Sequence, residues 1–148
     1  MYGLGKTMKL KYRDISDFKY QVVDEYRHQT DLKGMACRVE LLELTDSGLL
    51  IVSPGYLSDG PSGPTFDDMT NLRAAIGWHD PMAQLMRMGC VDEKHLPYVN
   101  SEFYRVLLED GMDAQRAENY LWGVTHPIFS YSKPGTQKPD PVHVVGRE

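Results

Sequence analysis

The chain has 148 residues, enough to bury a core, with 41% hydrophobic and 25% charged residues, the balance of an ordinary soluble globular protein. Its 16 basic and 21 acidic residues leave a formal charge of -5, with no basic run or aromatic-basic interleaving, which argues against a nucleic-acid partner. The longest apolar run, Leu49 to Val52, is far too short to span a bilayer, and the N-terminus, MYGLGKTMKLKYRD, lacks the apolar segment of a secretory signal. Two cysteines, Cys37 and Cys90, are too few for a disulfide framework and lack metal-ligand spacing, so each reads as a small buried hydrophobe.

In chain order, Met1 to Asp14 is a short basic arm without a clear period. Phe18, Tyr20 and Val22 alternate with Lys19 and Gln21, the period of a half-buried strand that continues to about Tyr26. Ala36 to Leu44 and Leu49 to Ser53 read as two strands of a hairpin. Thr45-Asp46-Ser47-Gly48 forms the turn between them, with the glycine at positive φ. Glu40 and Glu43 interrupt the apolar run, so one face of that sheet should meet water. The prolines and glycines between Pro54 and Pro64 exclude regular structure and predict a stiff loop.

After that loop the period changes. Thr65 and Asp68 resemble a capping box, and Met69, Leu72, Ala75 and Ile76 share one helical face. Pro81 predicts a break at Asp80, which would then cap a new short helix from Pro81 to Met88 closed by Gly89. Asp92 to Gly111 holds a third helix, with Pro97 in its first turn and Val99, Phe103, Val106 and Leu107 inward. Asp113 caps a fourth, whose stripe is Ala117, Tyr120, Leu121 and Val124 and which ends at His126-Pro127. From Ser130 the chain is polar and proline-rich, extended apart from an edge strand at Val142 to Val145. The expectation is one α+β domain: an N-terminal antiparallel sheet packed against about four helices, with an arm (1–14), a strand region (15–58), a loop and helical region (59–129) and a tail (130–148).

His79 and Asp80 are the adjacent pair that invites a chemical reading, since histidine titrates near neutrality and a carboxylate can orient it or hold a metal. The structural alternative is a capping Asp80 and a packed His79. Glycines in the preceding loop let backbone carbonyls approach a cation or a polar ligand, with Asp59 accepting from nearby amides. His28, His95, His126 and His143 show no metal-pair spacing.

The segments DGPSGPT, LRAAIGWHD, FYRVLLEDGM and RAENYLWGV, in that order, resemble a phage and prophage family known as domain of unknown function 1353. The likeness covers roughly Pro54 to Val124. That family in turn looks like the helical core of phospholipase A2-type enzymes. There a histidine activates water, the adjoining aspartate binds calcium beside a glycine-rich loop, and a second-helix aspartate orients the histidine. The resemblance implies loop or ligand roles for Asp59, Gly60, Ser62 and Gly63, catalytic candidacy for His79, Asp80 and Asn100, and calcium at Asp80 if the activity persists. Two positions depart: Ala83 stands where the family has tyrosine, and Val99-Asn100 stand where it has Ala-Asp. Asparagine cannot supply the negative charge that stabilises a protonated histidine.

Two functions follow as expectations. One is a phage virion or accessory protein, in the virion or the host cytoplasm, acting through contacts with other phage proteins or with itself. Its polar ends, the N-terminal arm and the segment from Ser130, would make those contacts. The other is a small metal-assisted hydrolase acting on lipid or cell-envelope material.

Overall fold

In a computed structural model of the chain, residues 9–16, 19–58 and 71–125 are described. The fold is α+β, with seven strands preceding the helices among the described residues, and the chain divides into two compact units. The expected capping box at Thr65, the helix end at His126-Pro127, the tail from Ser130 and most of the N-terminal arm lie outside the described residues.

The first unit holds two antiparallel sheets. One is ordered β1 (Tyr12–Ser16), β2 (Lys19–Val22), β7 (Leu57–Ser58), and the other β3 (Tyr26–Gln29), β6 (Leu49–Val52), β5 (Leu42–Leu44), β4 (Cys37–Val39). Tyr12 faces Val22 and Tyr20 faces Ser58 across the first sheet, with an irregularity between Asp14 and Ser16. In the second, Tyr26 and His28 alternate with exposed Arg27 and Gln29, and Leu42, Leu44, Leu50 and Val52 are almost wholly buried. Glu43 lies between the two buried leucines of β5 on the opposite face, as alternation requires.

Four expectations are corrected here. Residues 12–16 form a strand, although their sequence shows no period, because β2 supplies the pairing edge. The alternating run expected from Phe18 to Tyr26 is, over the described residues 19–26, parted at residues 23–25 between two strands that join different sheets. Ala36 to Leu44 is likewise a hairpin in itself: Val39 pairs with Leu42 across Glu40-Leu41, and Leu41 takes φ 66° to make the turn. A leucine with positive φ is uncommon, so nothing in its side chain announces a turn. The turn at residues 45–48 forms as expected. Gly48 has φ 93°, and a Cβ there would lie 2.9 Å from the Thr30 carbonyl oxygen. Leu57–Ser58 pairs with β2 inside the stretch expected to be irregular.

The second unit is helical. A π-helical segment, Arg73–His79, runs directly into α1 (Asp80–Arg87). A short 3-10 turn, Glu93–His95, leads into α2 (Leu96–Glu109), and α3 (Ala114–Thr125) follows. The expected break at Asp80 does not occur. Asp80 has helical angles (φ -64°, ψ -46°), and its backbone N–H donates to Ala75, five residues back. An N-cap residue would be extended, so Asp80 is not a cap. Proline normally loses a hydrogen bond and crowds the carbonyl four residues earlier. The wider π turn just before Pro81 takes up that mismatch without ending the helix.

Both helix stops at glycine are Schellman motifs. After α1, Gly89 (φ 80°) donates to Met86 and Cys90 to Leu85; after α2, Gly111 (φ 98°) donates to Leu108 and Met112 to Leu107. Asp113 accepts from the Arg116 amide at 3.2 Å and so starts α3, as expected. Val99, Phe103, Val106 and Leu107 of α2 are buried, with Trp78, Met82, Leu85 and Met86 from the preceding helix. In α3 only Ala117 and Val124 of the expected stripe are fully buried. Cys37 on β4 and Cys90 after α1 are both disulfide-bonded, which corrects the reading of each as a simple buried hydrophobe.

Candidate functional site

Trp78, at the end of the π segment, fixes the site's geometry. Its ring is fully buried, and its indole N–H donates to the Val99 carbonyl at 2.8 Å. Tyr98 meets it edge-on, with ring centroids 6.0 Å apart. This bond ties the helix carrying His79 to the second turn of α2. One residue further along each partner, His79 Nε2 lies 2.9 Å from Asn100 Oδ1. Phe103, one turn beyond on α2, packs edge-on to the imidazole at a centroid distance of 5.0 Å. Asn100 is itself buried.

A carboxamide oxygen only accepts, so in this pairing Nε2 carries the proton and Nδ1 keeps its lone pair. Burial in these surroundings lowers the His79 pKa; the Asn100 hydrogen bond opposes that shift, and the charge of Arg87 adds to it. A carboxylate at position 100 would instead favour the imidazolium. The site therefore holds a neutral, oriented ring.

Asp80 is half-buried, and one of its contacts is a charge pair: Arg87 Nη2 lies 3.9 Å from its Oδ1. Gln84 sits between them on the helix face and accepts a 2.7 Å hydrogen bond from the same Nη2. Among the described residues, no group of three or more His, Cys, Asp or Glu side chains is placed to hold a metal ion. Asp59, Gly60, Ser62 and Gly63, the expected loop ligands, lie outside the described residues.

Asn100 also borders an apolar groove of about 640 Å³ between α2 and α3, lined chiefly by Leu96, Pro97, Leu121, Trp122 and Thr125. Trp122 is 54% exposed. At the far end of α2, Arg73 closes the unit. Its guanidinium donates to Asp110 from Nε to Oδ2 and from Nη2 to Oδ1, each at 2.9 Å, with Nε also 3.1 Å from Oδ1, and makes a further bond to Glu109.

The structure thus brings together three residues that the sequence singled out, His79, Asp80 and Asn100, with Asn100 on the imidazole. Sequence reasoning missed Gln84 and Arg87. Their spacing from Asp80, four and seven residues, marks one helical face. The expected break at Pro81 hid that register. Comparison of the chain with family models, curated proteins and solved structures finds no match.

Proposed function

We propose that this is a phage virion-associated or accessory protein that acts through contacts with other proteins, its His79-Asp80 pair serving the scaffold. The phage setting, in the virion or the host cytoplasm, rests on the motif resemblance. The observation that carries the non-catalytic reading is the hydrogen bond from His79 to Asn100. A general base must hold the proton it takes, and its orienting partner normally stabilises the cation that results. Here the partner is neutral and burial already disfavours the cation. The contact reading draws support from Trp122, a large hydrophobic residue left exposed beside an apolar groove.

A specific observation keeps the hydrolase reading as second. Asn100 holds Nε2 from the following helix, where the resemblance places the orienting carboxylate, so the ring geometry of a base is retained while its charge partner is lost. The test is turnover of phospholipid vesicles and peptidoglycan by purified protein, with calcium or zinc supplied and His79→Ala as control. The expected result is no turnover above the control. Hydrolysis that disappears in His79→Ala would establish the second reading.

A further inference from the structure

We propose that Arg87 is the resident cation of this site: seated by Gln84 against Asp80, it takes the place a divalent metal would hold and closes that carboxylate to calcium. The inference rests on the non-catalytic reading of His79-Asp80 and supplies its electrostatic counterpart.

The placement is a consequence of the continuous helix. Because α1 does not start afresh at Pro81, Asp80, Gln84 and Arg87 lie at helical positions i, i+4 and i+7 and rise along one face. Gln84 Oε1 accepts from Arg87 Nη2 at 2.7 Å and turns the guanidinium back along the helix. That leaves Nη2 3.9 Å from Asp80 Oδ1, too long for a hydrogen bond but close for two opposite charges. Both side chains are largely withdrawn from solvent, 18% exposed for Arg87 and 25% for Asp80, so water screens the pair little. Arg87 Nε is buried and has no hydrogen-bond acceptor in the described structure. Gln84 holds the guanidinium inward, and the charge of the Asp80 carboxylate offsets the cost of the unpaired Nε.

Calcium needs six to eight oxygen ligands at about 2.3–2.6 Å. A cation that close to Asp80 Oδ1 would stand against the positive charge of the Arg87 guanidinium. The donor set at Asp80 therefore does not fit a divalent ion while Arg87 is seated. The same charge contributes, after burial, to keeping His79 neutral.

Calcium titration by calorimetry and by thermal shift decides the matter, on the whole chain carrying Arg87→Gln, Arg87→Lys or Arg87→Gln with Asp80→Asn. The wild type and the charge-preserving Arg87→Lys should show no calcium-dependent stabilisation. Arg87→Gln should bind calcium at least about tenfold more tightly than wild type, and adding Asp80→Asn should abolish the gain. If Arg87→Gln does not fold by circular dichroism, Gln84→Ala, which removes only the seat, should open the site partially. Calcium binding by the wild type that Asp80→Asn removes would overturn the proposal. So would a folded Arg87→Gln, or failing that Gln84→Ala, that ignores calcium. Metal-independent turnover by the wild type would sink the non-catalytic reading alone, whereas calcium binding without turnover would sink the role of Arg87 alone.

Discussion

Replacing Asn100 by aspartate should reverse the pH dependence that His79 gives to the helical unit. In the wild type, burial holds the folded-state pKa of His79 below its ordinary 6.5. The unfolded chain then binds a proton that the folded one refuses, so stability falls as pH drops below 6.5 toward the folded value. The slope between the two values approaches about 1.4 kcal/mol per pH unit, the free energy of one proton. In Asn100→Asp, a carboxylate would replace the amide oxygen now 2.9 Å from Nε2 in a buried position. The folded pKa of His79 should then rise above the unfolded one. Stability from the pair would be complete below 6.5 and lost as pH climbs through the raised folded value. Above that value a buried carboxylate faces a neutral ring, which should cost about 3 kcal/mol or more relative to wild type. The assay is urea unfolding between about pH 5 and pH 8, followed by tryptophan fluorescence, with slopes read by linkage. Trp78 and Trp122, the two tryptophans of the chain, both lie in the helical unit, so the signal reports that unit. His79→Gln measured in parallel removes the contribution of every other group. If wild type and Asn100→Asp keep the same slope after that subtraction, the argument from burial and partner charge is wrong.

Two further substitutions test the scaffold. Gly48→Ala should destabilise the strand unit by about 2 kcal/mol, since its φ is 93° and the added methyl would meet the Thr30 carbonyl oxygen at 2.9 Å; circular dichroism during denaturant unfolding measures this. Arg73→Met should cost about 2 kcal/mol, because it takes from half-buried Asp110 its paired guanidinium and leaves Glu109 with Arg105 at 3.7 Å, at the C-terminal end of α2, where the helix dipole already disfavours negative charge. Its loss should shrink in high salt, and a salt-independent loss would mean that packing, not charge, is what Arg73 supplies.

By itself the sequence determined the elements whose signals are local. Gly48 with its flanking leucines marks a turn, Gly89 and Gly111 end helices, and Asp113 starts one, because each acts through its own backbone or its immediate neighbours. The apolar stripe of α2 was legible for a similar reason, since its period is a property of one helix. The tertiary structure decided what depends on a partner elsewhere in the chain. Residues 12–16 are a strand only because β2 lies beside them, and Leu41 accepts a positive φ only because β4 and β5 pair across it. The site shows the same division. His79, Asp80 and Asn100 could be named from residue types and resemblance, but the pairing of His79 with Asn100 depends on Trp78 docking against the Val99 carbonyl. Pro81 carried the most misleading local signal. On its own a proline predicts a break; within a packed core, shifting to π-helical hydrogen bonds costs less than exposing Trp78, Met82 and Leu85. That choice keeps the helix continuous and sets Arg87 beside Asp80, two turns away in sequence and opposite in charge.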